Sequence, residues 1–435
     1  MPIKPAFFRA FGVAPRRDME IMMKYIIIIG DGMADEAHAE LGGLTPLAYA
    51  DTPTLDSLAS AGRVGTVQTI PAGMAPGSDT ANLAILGFDP RRYYSGRSPL
   101  EAASLGIPMA EGDVAVRVNL VTLSEDEPDL RSRVIIDHSG GDITTDEARV
   151  LIEALRAEME LPFTLHSGVG YRHCLIWEKG DIYDFTPPHD VLGHVIDPYL
   201  PTRGDFLTLM ERSCHILQNH PINKERRRRG HKPANCLWPW GAGAKPLLPD
   251  FYTKTGKRGI IISAVDLMKG IGVLAGMMVA DVPGANATID TDYAGKVDAA
   301  CEALLHGGHD FAFIHIEAPD EASHQGDLAG KIKAIEYVDA RVVAPLHRRM
   351  CEGGEDFRLL VMPDHATPLR LRTHSADPVP FLLYDGHGGS ADANCTDVQN
   401  NRKITASAAF NEEECAKGGY HIEEGHLLIE EFFAK

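Results

Sequence analysis

Tyr25-Ile26-Ile27-Ile28-Ile29-Gly30-Asp31-Gly32 is the stretch whose reading decides the fold. Its apolar run has no polar residue at alternate positions, so it predicts a strand buried on both faces, as in a parallel sheet covered by helices. Gly30-Asp31-Gly32 then ends the strand with a turn that carries a carboxylate. Two later segments repeat the pattern: Phe311 to Ile316 runs into Glu317-Ala318-Pro319-Asp320, and Leu359 to Met362 runs into Pro363-Asp364-His365. Gly259 to Ser263 and Val379 to Tyr384 are further strand candidates. Thr54 to Ala61 and Lys331 to Leu346 read as helices between them. Alternating strands and helices predict an α/β fold with a doubly wound, mostly parallel sheet.

From about Asn119 to Asp250 the texture changes to more histidine, proline and charge, with strands that alternate. This predicts a smaller α+β domain, residues 119–250, inserted into a discontinuous domain of residues 23–118 and 251–435. The basic run Lys224-Glu225-Arg226-Arg227-Arg228-Arg229 lies in the insert and reads as a solvated helix or loop face. Residues 1–22 carry Arg9, Arg16 and Arg17 without an apolar core or small-residue cleavage site, and read as a loose extension.

The 435 residues include 42 basic and 61 acidic side chains, a net charge of −19 that argues against nucleic acid or an anionic membrane as partner. The apolar stretches fall far short of the ~20 residues that span a bilayer. Seven scattered cysteines with no Cys-x-x-Cys pair signal neither a disulfide framework nor a cysteine zinc site, which fits a reducing cytoplasm.

Ligands in open α/β sheets bind beyond the carboxyl ends of the strands. Alone, Asp31, Asp320 or Asp364 would read as a cap or turn residue. Together they deliver three carboxylates to one sheet edge. Asp320-Glu321-Ala322-Ser323-His324 sets an oxygen and a nitrogen ligand four residues apart, on one helix face. His365 adjoins Asp364, and His374 follows in the same loop region. Mixed carboxylate and imidazole donors suit zinc, manganese or iron, and four to six of them suggest two ions.

Pro76-Gly77-Ser78-Asp79 places a serine just before the apolar helical stretch Leu83 to Leu86. Such a serine commonly caps the helix. It also faces an incoming anion with its hydroxyl, and beside a divalent ion that hydroxyl becomes a nucleophile. Arg117, Arg172, His173 and Lys269 are candidate substrate contacts. Gly270-Ile271-Gly272 is spaced wrongly for a dinucleotide fingerprint, and no P-loop occurs. Trp238-Pro239-Trp240-Gly241 reads as a packed corner.

In this combination the chain resembles the alkaline phosphatase superfamily, and within it the archaeal-type cofactor-independent phosphoglycerate mutases. The resemblance spans residues 23–435 and is carried by Gly30-Asp31-Gly32-Met33, Leu41-Gly42-Gly43-Leu44-Thr45-Pro46-Leu47, Ala75-Pro76-Gly77-Ser78-Asp79, Gly96-Arg97, Trp238-Pro239-Trp240-Gly241, Ile316 to His324 and Pro363-Asp364-His365-Ala366-Thr367-Pro368. It implies an alkaline-phosphatase-like fold and two divalent ions, manganese foremost, with magnesium, zinc or cobalt as alternatives. Asp320, His324 and His374 would hold one ion, and Asp31, Ser78, Asp364 and His365 the other. Ser78 would take the phosphoryl group of 3-phosphoglycerate and return it to give 2-phosphoglycerate, without 2,3-bisphosphoglycerate, while the insert closes over this small phosphorylated metabolite. Ser139-Gly140-Gly141-Asp142 and Pro283-Gly284-Ala285-Asn286 depart from the family pattern. Ser98-Pro99-Leu100-Glu101 and Tyr171-Arg172-His173-Cys174 look closer to a sister group proposed to be homoserine kinases. A homoserine-kinase-like phosphotransferase and a phosphate-ester hydrolase are the alternative readings.

Overall fold

The isoleucine run forms the strand Lys24–Gly30, buried along its whole length. It pairs in parallel with Phe311–Ile316 on one side and Phe357–Met362 on the other. The computed structural model describes residues 23–159, 162–388 and 409–434. The extension expected at residues 1–22 lies outside them.

Among the described residues, eight strands make the main sheet, in the order His421–Ile422, Arg63–Val67, Val379–Gly386, Phe357–Met362, Lys24–Gly30, Phe311–Ile316, Gly259–Ile262, Met278–Val279. Only Val379–Gly386 runs antiparallel to its neighbours Phe357–Met362 and Arg63–Val67. The expected α/β fold with a mostly parallel sheet is therefore present. Alternate residues of the first strand enter opposite cores. Ile26 and Ile28 pack with helices Pro53–Ala61, Tyr293–Leu305 and Leu328–Val338; Tyr25, Ile27 and Ile29 pack with Ser78–Ile85, Asp266–Leu274 and Leu428–Phe433. Apolar side chains are needed on both faces, which is why the sequence shows no alternation.

A second sheet is wholly antiparallel and is built from Val114–Leu123, Ile135–Asp137, Thr164–Val169, Arg172–Trp177 and Cys236–Ala244. Asn119 lies inside the first of these strands. Helices Thr145–Glu158 and Gly204–Gln218 cover one face through Leu151, Ile152, Phe206 and Leu209. Trp238 and Trp240 sit on the strand Cys236–Ala244 and not at a corner, because the backbone there pairs with Val118 and Asn119 and continues to Ala244. Nor is the basic run a merely solvated face. Arg226 is buried, held by Glu147 at 2.7 Å and by the carbonyls of Gly140 and Gly141 at 2.8 and 2.9 Å. Arg227 pairs with Glu125, and Arg228 and Arg229 share Glu225.

Helix Ser98–Ser104 joins the two sheets. Ser95 and Ser98 donate their hydroxyls to the carbonyls of Ala244 and Gly241. Gly270 lets the helix Asp266–Leu274 press on the backbone of Leu100, where a Cβ would collide. Packing therefore accounts for that glycine-rich segment. No helix among the described residues is long and apolar enough to cross a membrane.

Candidate active site

Asp31, Asp364 and the Glu317 to Asp320 turn follow three adjacent parallel strands, so their side chains converge at one sheet edge. The turn after the first strand must be narrow. Gly32 has φ +62°, and a Cβ there would stand 2.5 Å from Thr367 Oγ1 and 2.7 Å from Asp320 Oδ1. The Gly32 N–H donates to Asp364 Oδ1 at 3.2 Å, and the His365 N–H to the same oxygen at 2.9 Å.

Two clusters of ligand atoms result. In one, Asp31, Asp364 and His365 are all buried, with His365 Nε2 at 3.4 Å from Asp31 Oδ1 and 3.5 Å from Asp364 Oδ2. In the other, Asp320, His365 and His374 gather. The helix Ala318–Gln325 brings in His324 as the four-residue spacing requires, with Nε2 at 3.1 Å from both Asp320 Oδ2 and His374 Nε2. His365 belongs to both clusters, and its Nδ1 reaches Asp320 through Thr367 Oγ1 (3.1 and 2.6 Å).

Ser78 is the first residue of the helix Ser78–Ile85; the cap position falls on Gly77. The Ser78 hydroxyl is thus not spent on capping. It stands 3.0 Å from His365 Nε2, at the border of the buried cluster. One turn on, the fully buried Asn82 donates its amide to Ser78 O and to Asp364 Oδ2, both at 2.8 Å.

The charges at this edge are unbalanced. Burial and the charges of Asp364 and Asp320 push the Asp31 carboxyl well above its ordinary range. Burial also works against ionised Asp320, but hydrogen bonds from His324 and His374 outweigh it and hold that group far below the usual value. The bond to Asp320 raises His324 to about 9. Burial pushes His365 down, which leaves a neutral imidazole able to act as a ligand. Asp31 Oδ1 is buried without a hydrogen-bond partner. Crowded carboxylates, neutral imidazole and an unpartnered buried oxygen are the donor set that divalent ions satisfy.

Residues 59–223 match the family described as 2,3-bisphosphoglycerate-independent phosphoglycerate mutase. A protein of that name from Methanothrix thermoacetophila is 46% identical over 411 residues, covering 94% of this chain and 98% of its own. The chain belongs to the 2,3-bisphosphoglycerate-independent phosphoglycerate mutases. Among solved structures, a Pyrococcus horikoshii protein superposes with a TM-score of 0.74 at 28% identity, covering 95% of this chain and 98% of its own. The cofactor-independent phosphoglycerate mutase of Thermoplasma acidophilum superposes with a TM-score of 0.60 at 26% identity, covering 95% and 100%.

A cavity of about 210 Å³ opens between the two sheets. Arg97, Glu101, Arg117, Arg172 and His173 line it, with Ala264 to Leu267 from the main sheet. Arg117 stacks 4.7 Å over the Trp240 ring and approaches Glu101 at 3.3 Å. His173 accepts the Gly168 N–H on Nδ1 at 3.1 Å, so its proton sits on Nε2, which is buried without a partner. Lys269, on the helix Asp266–Leu274, is outside the lining. Sequence reasoning gave no role to Arg97, Asn82, Thr367 or the buried trio His315, Glu317 and Lys296. The signal for the trio was a histidine inside an otherwise apolar strand.

Proposed function

We propose that this chain interconverts 3-phosphoglycerate and 2-phosphoglycerate through a phosphoserine at Ser78. The observation that carries the reading is Ser78 Oγ at 3.0 Å from His365, the residue common to both ligand clusters, at the first position of a helix. Asp320, His324 and His374 hold one divalent ion; Asp31, Ser78, Asp364 and His365 hold the other. Manganese is the ion proposed, with magnesium, zinc or cobalt able to occupy the same donors. When bound, the ions lower the pKa of the serine hydroxyl and neutralise charge on the phosphoryl oxygens.

The protein's own groups do the rest. Asn82 fixes Asp364 against the serine's turn of helix. Ser78 Oγ, having given up its proton, attacks phosphorus; the glycerate oxygen leaves with the electron pair and takes up a proton to become a hydroxyl. Arg97, Arg117 and Arg172 keep the glycerate carboxylate in the cavity, which His173 also lines. Glycerate turns, its other hydroxyl attacks the phosphoserine, and Ser78 is regenerated. No 2,3-bisphosphoglycerate enters this cycle. Residues 119–250, together with the start of the strand Val114–Leu123, form the unit that closes over the site and excludes water, which would otherwise hydrolyse the intermediate. The compartment on this reading is the cytoplasm, and the partner is a small phosphorylated metabolite.

Phosphorus NMR of manganese-loaded protein with 3-phosphoglycerate and no bisphosphoglycerate tests this. Appearance of 2-phosphoglycerate without free phosphate, and its loss in Ser78→Ala, is expected. Free phosphate as the product would make the chain a hydrolase. Consumption of ATP that depends on homoserine would make it a kinase.

A further inference from the structure

His315 is fully buried in the strand Phe311–Ile316, yet both of its ring nitrogens face carboxylates. Nδ1 lies 3.1 Å from Glu317 Oε1, and Nε2 lies 3.3 Å from Asp31 Oδ2. Glu317 is itself buried and held from three more directions. Lys296 Nζ donates to Oε2 at 2.8 Å, while Ser263 Oγ and the Ala264 N–H donate to Oε1 at 3.0 and 3.1 Å. Lys296 Nζ also donates to the His315 carbonyl at 2.8 Å, which ties the helix Tyr293–Leu305 to the strand.

A carboxylate with this many donors is fixed in place, and it requires a proton on the imidazole nitrogen that faces it. The ring's orientation is then set, and Nε2, which makes no hydrogen bond among the described residues, is held 3.3 Å from Asp31 Oδ2. Asp31 is divided as a result: Oδ2 is turned back toward His315, while the unpartnered Oδ1 points to His365. A lysine and glutamate buried only for stability are poorly explained, because desolvating both ions offsets most of their attraction. A pair that merely joined helix to strand would also leave unexplained the imidazole between Glu317 and Asp31. Imidazole held by a carboxylate on its far side is a recurrent way of orienting groups around an ion.

We infer that His315, held by Glu317 and Lys296, is a positioning residue that fixes the Asp31 carboxylate so that Oδ1 faces Asp364 and His365. This rests on the reading that Asp31 helps to hold one of two ions. Its consequence is selective: disturbing the network weakens the ion at Asp31 and leaves the ion at Asp320 and His374 unaffected.

The test is Mn²⁺ titration of chelator-stripped full-length protein, with free aquo-Mn²⁺ read by electron paramagnetic resonance. Wild type is expected to bind two equivalents, and Asp31→Ala to lose one. His315→Gln should weaken that same equivalent by about 10- to 100-fold, the usual size of an outer-sphere effect, with the other unchanged. It should lower kcat while leaving KM for 3-phosphoglycerate in place. The double variant Lys296→Met/Glu317→Gln removes the pair without stranding either charge and should weaken the same equivalent. Folded His315→Gln or double variant protein that binds both ions as wild type does would overturn the inference, as would failure of both to fold, which would make the network architectural. Retention of two equivalents by Asp31→Ala would instead overturn the metal reading beneath it, so the two failures are distinguishable.

Discussion

Acidifying the protein from pH 7 to pH 5 opposes the burial of His173. That ring is 2% exposed, accepts the Gly168 N–H on Nδ1, and has no partner on Nε2. Burial lowers it to about 3. An unfolded histidine titrates near 6.5, so between pH 6.5 and 3 the unfolded chain binds a proton that the folded chain does not. Stability from this group is therefore complete above about pH 6.5 and declines as pH falls through that value. At pH 5 the gap is about 1.5 units, or about 2 kcal/mol at 1.36 kcal/mol per unit. His173→Asn keeps an acceptor for Gly168 and removes the titration. Urea unfolding followed by tryptophan fluorescence suits the question, since Trp177, Trp238 and Trp240 all lie on the second sheet. The free-energy difference between wild type and His173→Asn should shift by about 2 kcal/mol in the variant's favour between pH 7 and pH 5. His347, which burial lowers to about 4, is common to both proteins and cancels. A shift smaller than about 0.5 kcal/mol, the scatter of neutral substitutions, would refute the burial argument for His173.

Asn82→Ala removes one donor to ionised Asp364 and one to the Ser78 carbonyl; at about 1.5–3 and 0.5–1.5 kcal/mol, urea unfolding should show a loss of about 2–4.5 kcal/mol. Arg226→Met strands the Gly140 and Gly141 carbonyls and Glu147, and should cost about 2–3 kcal/mol, less than a fully buried pair because Glu147 is 31% exposed; Arg228→Met on the same helix should change the urea midpoint little. Chelation should lower the melting temperature, and manganese at about 100 times its Kd should restore about 2.7 kcal/mol, read by calorimetry with and without chelator.

The main sheet was legible because strands buried on both faces leave no choice but apolar residues, and the same rule located Asp31, Asp320 and Asp364 at their ends. The Asp320 and His324 spacing was legible because helical periodicity is local. His315 was not, since its meaning lies in a lysine and an aspartate brought to it by two other segments, together with a glutamate two residues on. Ser78 read both as a helix cap and as a nucleophile; the cap falls instead on Gly77, a difference of one position that only the backbone resolves. The basic run misled because Arg226 is neutralised by Glu147, about eighty positions away in sequence. The change of texture read at Asn119 falls inside the strand Val114–Leu123, which is buried on both sides of that residue, so burial gave the sequence no mark of where the strand begins.

The net charge of −19 describes the exterior of a protein whose ligand is an anion. At the sheet edge the paradox is sharper, because Asp31, Asp320 and Asp364 crowd where a phosphoryl group must sit. The arginines do not resolve it: Glu101 pairs with Arg97 at 2.9 Å and with Arg117 at 3.3 Å, leaving the cavity wall little net positive charge. On the proposed reading, two divalent ions would supply four positive charges against those three carboxylates and invert the field locally. The order of events follows from this arithmetic. Without ions, the site repels phosphate and strains Asp31 toward protonation. On the same proposal, the carboxylates that exclude the substrate when bare would, with ions bound, hold the charge that attracts it, and the arginines would hold and orient the glycerate carboxylate.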